Sequence, residues 1–306
     1  MNSGTSARTG SPPASSNRSE NYVLSAENLT YTERVPDLWT DLLECLDIAD
    51  SSTEGDGPAE FEGRNQQLEY HRVFGGQLLG QFLRIASLTC QDKLVKSQHT
   101  VFTREGRADE PVHYQAIRAH EGRSFAAVTV TAEQSRGIIA TSSISMHALE
   151  GGPEHQEVER VGPVLGPEYK LALDLIPWET RAFIDLNAPV TGPPQFEFWM
   201  RTPAVDPDLA PALTAYATDL TLIGTALRPI DGADQRGNGT TFTSAVTSHT
   251  VWFHRPFRTD DWLLLRQHSP LLAHGRCFGR GDVLTEDGVL VASFCQEALL
   301  RFAEST

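Results

Sequence analysis

The chain has few cysteines, few basic residues and no long apolar run, and each shortage excludes something. Cys45, Cys90, Cys277 and Cys295 are its four cysteines in 306 residues, and no two stand at Cys-x-x-Cys spacing. That pattern builds neither a disulfide framework nor a cysteine zinc site. It reads as reduced thiols, and a cytoplasmic location is expected. Lys and Arg number 25 against 40 Asp and Glu, a formal net charge of −15. Nucleic acid and anionic membrane surfaces call for a basic face, so neither is an expected partner. No apolar stretch approaches the roughly 20 residues that span a bilayer. No apolar leader core stands near the start, so the Asn-x-Ser/Thr triplets at Asn17, Asn28 and Asn238 carry no weight as glycosylation sites. The sequence holds no Gly-x-Ser-x-Gly elbow and no phosphate loop, and its His, Asp and Glu residues are scattered, so neither a metal nor another cofactor is expected.

What is present is a core and a repetition. Hydrophobic residues make up 40% of the chain, and its length allows about two domains. His99-Thr100-Val101-Phe102 recurs as His249-Thr250-Val251-Trp252, and Gly122-Arg123-Ser124-Phe125 as Gly275-Arg276-Cys277-Phe278. Gly137 with the following Ile-Ile-Ala-Thr-Ser matches Gly288 with Val-Leu-Val-Ala-Ser. Three blocks in the same order at nearly constant spacing imply a pseudo-symmetric pair of similar units. In this register Gln296 corresponds to Ser145.

Residues 1–33 are rich in Ser, Asn, Thr, Gly and Pro, and are expected to be a disordered tail. The unit 34–150 opens with a short helix over 37–48. It continues with a helix over 75–89 and strands at 97–105, 111–120, 123–133 and 137–148. A Pro- and Gly-rich connection occupies 151–195. The unit 196–306 reads as a strand at 196–201, one helix over 208–227, and strands near 244–256, 261–269, 273–284 and 289–302. A long helix followed by antiparallel strands, twice over, is an α+β arrangement in which each sheet curls around its helix.

The run Val73-Phe74-Gly75-Gly76-Gln77-Leu78-Leu79-Gly80-Gln81, the stretch Trp252-Phe253-His254-Arg255-Pro256-Phe257, the segment Gly288–Ser293 leading into Gln296-Glu297, and Gly152-Pro153-Glu154-His155 between the units are familiar together. They resemble the acyl-CoA thioesterase II family over about residues 36–303. The resemblance implies a double hotdog fold and hydrolysis of an acyl-CoA substrate. It also implies an active site made by an Asp on the second helix, a Thr or Ser on the next strand and a Gln on the last strand, together activating a water.

The Asp corresponds to Asp219. Leu209, Leu213, Tyr216, Leu220, Ile223 and Leu227 share one helical face, and Asp219 lies about 40° beyond its flank. A carboxylate there needs partners or a raised pKa. The Gln corresponds to Gln296, whose amide can both donate and accept. The Thr/Ser position corresponds to Val246, which has no hydroxyl. Thr247 is its neighbour and becomes the third catalytic candidate only if a bulge shifts the strand register. Gly75, Gly76 and Gln77 open the first helix, and their N–H groups are candidates to bind substrate oxygen. His249 and His254 read as structural. Val246 also keeps open a non-hydrolytic acyl-thioester binding protein. Acyl transfer on the same fold is a further alternative, whereas a dehydratase would need a His that the helix 208–227 lacks. Exposed sheet edges point to a homo-oligomer.

Overall fold

The β-branched segments of both units join one antiparallel sheet of twelve strands. The computed structural model describes residues 37–50, 58–68, 70 and 72–302; the tail expected over 1–33 lies outside them. Helix α1 (Leu38–Leu46) is followed by β1 (Ala49–Asp50), β2 (Ala59–Gly63) and the long helix α2 (Gly75–Thr89). Strands β3 (Leu94–Phe102), β4 (Val112–Glu121), β5 (Phe125–Gln134) and β6 (Gly137–His147) complete the first half. After β7 (Glu179–Arg181) and β8 (Gln195–Arg201) come helices α3 (Ala210–Thr218) and α4 (Leu222–Leu227). Strands β9 (Phe242–Phe253), β10 (Leu263–Ala273), β11 (Arg276–Thr285) and β12 (Leu290–Phe302) end the chain. The short strands β1, β2 and β7 carry too little pattern to have been expected.

The spatial order is β2-β4-β5-β6-β3 in the first half and β8-β10-β11-β12-β9 in the second. This is one topology used twice, a double hotdog. Leu78, Leu79, Phe82, Leu83 and Ile85 bury α2 against the first sheet, as the apolar spacing requires. Helices α2 and α3 pack against each other across the middle. Their backbones come close because α2 has glycine at the contact. A Cβ on Gly76 would lie 2.6 Å from the Tyr216 carbonyl oxygen, and one on Gly80 3.3 Å from that of Ala212.

The halves join through β3 and β9, antiparallel, with Ser97–Val101 opposite Ser248–Trp252. Gln98 faces Val251 and Thr100 faces His249, so a local two-fold passes through the His99–Thr250 pair. That pair is tied by His99 Nδ1 and Thr250 Oγ1 at 2.6 Å. The two-fold relates Gln98 to His249, which corrects the repeat register by one residue. Gln98 lies opposite Ile144, and His249 opposite Gln296. The counterpart of Gln296 is therefore Ile144 and not Ser145. A slip of one residue exchanges the two faces of a strand, and the sequence blocks alone do not carry that parity.

The helix expected over 208–227 is two helices, broken at Asp219–Thr221. Threonines loosen it: Thr218 Oγ1 lies 3.0 Å from the Ala215 carbonyl oxygen, and Thr225 Oγ1 donates to that of Thr221. Gln267 of β10 then donates to the Thr221 and Thr225 hydroxyls, at 2.8 Å each. The connection 151–195 runs along the second half, with Val158, Val161, Val164 and Leu165 packed on Trp199, Leu264 and Leu284. All four cysteines are free thiols. Among the described residues no helix is long and apolar enough to cross a membrane.

The close approach of α2 and α3 predicts the effect of a single methyl group. Alanine is a better helix former than glycine by about 1 kcal/mol. Gly76→Ala is nevertheless expected to destabilise the protein by roughly 2 kcal/mol or more, because the Cβ meets backbone and Phe74. Urea unfolding would check it; an unchanged or raised midpoint would refute the packing argument.

Candidate active site

Pairing between β3 and β9 stops on both sides of the two-fold, each time at a bulge. On β3 the register shifts at Lys96; on β9 it shifts at Thr247. At the first end Lys96 Nζ reaches across and donates to the Phe253 carbonyl at 2.7 Å, closing the gap. At the second end the bulged residue is threonine, too short to span the strands. Its hydroxyl lies 3.0 Å from the Glu297 carbonyl on its own side. A slot therefore opens between residues 102–106 and residues 243–247. It leads into a cavity of about 730 Å3 with Gly75, Leu78, Asp219 and Ile223 in its lining.

Gln98 meets the carbonyl of Leu79 where His249 meets Thr218, so Gly80 stands where Asp219 stands. Leu46 of α1 covers Gly80, with a methyl carbon 2.9 Å from where a Cβ would begin. Helix α1 has no counterpart in the second half, and it makes the pair asymmetric.

Asp219 sits at the break between α3 and α4, and is only 4% exposed. Burial raises its pKa to about 7, against the N–H of Gly76, which lowers it. Gly75 makes this position possible: a Cβ there would lie 2.7 Å from Asp219 Oδ2. Asp219 Oδ1 is buried without a hydrogen-bond partner among the described residues. Close to neutral pH such a carboxylate can accept a proton, and it has a free lone pair aimed at no protein group.

Gln296 is 2% exposed. Its Oε1 lies 3.0 Å from His249 Nδ1, and its Nε2 has no partner among the described residues. The other ring nitrogen of His249, Nε2, lies 3.1 Å from Thr218 Oγ1, so a chain of contacts runs from Gln296 to the residue before Asp219. Burial lowers the pKa of His249 to about 4, which leaves the ring neutral at neutral pH. Sequence reasoning passed over Thr218 and treated His249 as structural. The available signal was register: His249 opposes Gln296 on the inner face, which only the strand pairing reveals.

The bulge required to bring Thr247 into play exists, and it acts in the other direction. Val246 lies opposite Ala298, which is buried, so Val246 faces inward. Thr247 turns to Glu297 at the rim of the slot. Gly75 lines the cavity and the Gly76 N–H addresses Asp219. Gln77 turns away from it. Its Oε1 accepts from the Gln66 N–H at 3.0 Å and its Nε2 donates to Asn65 Oδ1 at 2.7 Å, pinning a loop.

Residues 66–147 match the model of the acyl-CoA thioesterase N-terminal domain and residues 149–300 that of the C-terminal domain. The chain belongs to the acyl-CoA thioesterase family. Acyl-CoA thioesterase 2 of Haemophilus influenzae is 32% identical over 272 residues, 80% of this chain and 93% of that protein. Human acyl-coenzyme A thioesterase 8 is 30% identical, covering 79% of this chain and 84% of that one. The crystal structure of an acyl-CoA thioesterase II from Mycobacterium marinum superimposes with a TM-score of 0.69 at 30% identity, over 87% of this chain and 98% of that one. Membership of this family makes the chain a thioester hydrolase by class.

The buried carboxylate of this thioesterase has a stability signature. Its folded pKa lies above the unfolded value, so the native state is favoured below about pH 4 and progressively disfavoured as pH rises through about 7. Asp219→Asn is expected to stabilise the protein at pH 8 by roughly 2–4 kcal/mol, with the difference fading towards pH 4. Denaturant unfolding of both proteins across that range would check it. A difference independent of pH would contradict a titrating Asp219.

Proposed function

We propose that the chain hydrolyses acyl-CoA by direct attack of a water held between Asp219 and Gln296. The observation that carries this reading is the pair of buried polar atoms left without partners, Asp219 Oδ1 and Gln296 Nε2, on side chains linked through His249 and Thr218. One is a proton acceptor and the other a donor, which is what a water nucleophile and a developing oxyanion need. Asp219 takes a proton as the water oxygen bonds to the thioester carbonyl carbon. The resulting intermediate collapses, the carbon–sulfur bond breaks, and the proton passes to the departing CoA thiolate. No covalent acyl-enzyme, metal or redox cofactor enters the scheme. The acyl chain lies in the cavity beside Leu78 and Ile223. Arg72, Arg104, Arg236, Arg276 and Arg301 surround the opening and suit the phosphates of CoA, despite the acidic balance of the chain. Outward-facing Val101 and Trp252, each 40% exposed on the joined strands, suit association of protomers.

A second reading is favoured by one observation. The inward position that carries a hydroxyl in the family pattern is Val246, so a protein that binds acyl thioesters with little turnover fits the same cavity.

Asp219→Asn is expected to lower kcat on the order of 10²–10⁴-fold on any acyl-CoA the wild type hydrolyses. In the wild type, log(kcat/KM) should fall as pH drops through about 7, as the base becomes protonated. Retention of the rate, or of that limb, in the variant would remove Asp219 from the chemistry.

Valine and threonine have nearly the same shape, so Val246→Thr tests the hydroxyl with little change in packing. A buried hydroxyl without a partner costs about 1–3 kcal/mol, and Asp219 or Gln296 would supply one. We expect kcat to rise on the order of 10²-fold in Val246→Thr and to stay unchanged in Thr247→Val. Free CoA thiol released from one acyl-CoA gives both numbers. Collapse of Thr247→Val without a gain in Val246→Thr would move the catalytic hydroxyl to the rim.

A further inference from the structure

His249 meets Gln296 on one side of its ring and Thr218 on the other. Its ring is 1% exposed, stacked on Phe294 at 6.2 Å between centroids, and fixed at both nitrogens. A neutral imidazole has one donor and one acceptor, so only two arrangements satisfy both contacts. In the first, Nδ1–H donates to Gln296 Oε1 and the Thr218 hydroxyl directs its one proton to Nε2 instead of to the Ala215 carbonyl. The Gln296 NH2 group is then free to donate. In the second, Nε2–H donates to Thr218 Oγ1, whose own proton goes to the Ala215 carbonyl 3.0 Å away. Nδ1 must then accept, the Gln296 amide must turn over, and its carbonyl oxygen takes the position left without a partner. An acceptor there offers nothing to an oxyanion. The first arrangement alone provides a donor.

We propose that His249, held as the Nδ1–H tautomer by Thr218, is a positioning residue that locks the Gln296 amide with its NH2 group towards the reaction centre. The proposal rests on the reading of Asp219 and Gln296 as the water-holding pair. It assigns a job to a histidine whose contacts are with Thr218, Gln296 and Phe294. The counterpart of His249 in the first half is Gln98, opposite Ile144, where there is no amide to orient.

Two measurements test it, and the first does not depend on turnover. Nitrogen-15 NMR of the histidine-labelled protein should show the His249 resonances, assigned by their loss in His249→Phe, in the Nδ1-protonated form. If that variant does not fold, His249→Asn serves for the assignment. An Nε2-protonated ring would overturn the proposal.

The second measurement is kinetic. His249→Phe should lower kcat on the order of 10–10²-fold with little change in KM. His249→Asn, whose NH2 group stands near the place of Nδ1, should recover most of the loss. In a Gln296→Ala background, His249→Phe should have almost no further effect, since a residue acting only through Gln296 has nothing left to position. Losses that multiply, or an Asn variant no better than Phe, would show a merely structural role and overturn the proposal. If the wild type releases no CoA from any acyl-CoA, the hydrolase reading falls, while the tautomer still decides what His249 does to the amide.

Discussion

The antiparallel pairing of β3 with β9 is the constraint on which the rest depends. It is short, running only from Ser97 to Val101 against Ser248 to Trp252. It makes two curled sheets into one, and its two-fold sets which residues of the halves correspond. It also ends where the bulges at Lys96 and Thr247 let the strands part. A bulge raises the local twist and frees a residue from the ladder. At one end the freed residue is a lysine that sews the gap shut. At the other it is a threonine, and the gap becomes the way to Asp219. The asymmetry of a nearly symmetric fold thus comes from two differences at related places, Lys96 against Thr247 and Gly80 against Asp219, with Leu46 covering Gly80.

The site itself is a set of polar groups kept short of partners. A buried carboxylate and a buried primary amide each lose hydration without full compensation, a cost of about 1–3 kcal/mol or more per group. Several polar groups around them are paired. Tyr216 donates to the Leu175 carbonyl, Gln77 secures the 65–66 loop, and Gln267 holds the Thr221 and Thr225 hydroxyls. The glycines at the start of α2 bring a backbone N–H to the carboxylate, which holds its pKa from rising further. The outcome is a carboxyl that titrates near 7 and a neutral imidazole, one pKa raised and the other lowered by burial.

Val246 shows how packing and chemistry separate at one position. For the sheet, valine and threonine are equivalent β-branched residues, and the strand forms equally well with either. For a polar ligand in the cavity they differ by one hydrogen-bonding group. Val246 keeps its place in the cavity lining and its inward register.

Much of the fold was legible in the sequence, because it rests on local patterns. The apolar spacing of 75–89 and the β-branched runs gave helix and strand bounds within a few residues, and the repeated blocks revealed two like units. Asp219 and Gln296 were singled out through their setting in motifs, and the close approach at Gly75 and Gly76 was legible there too. What the sequence could not decide involves residues about 50 to 150 positions apart. The parity of the repeat was off by one, pairing Gln296 with Ser145 instead of Ile144, because alignment of letters does not record which face of a strand a residue takes. The break of the helix at Asp219 depends on Gln267 reaching threonine hydroxyls from another strand. The direction of the Thr247 bulge depends on Ala298 and Glu297, and the part played by His249 depends on Gln296 lying opposite it. Local propensity determines which elements form. Only the joining of strands across the two-fold determines which side chains meet, and desolvation at that meeting point then sets their chemistry.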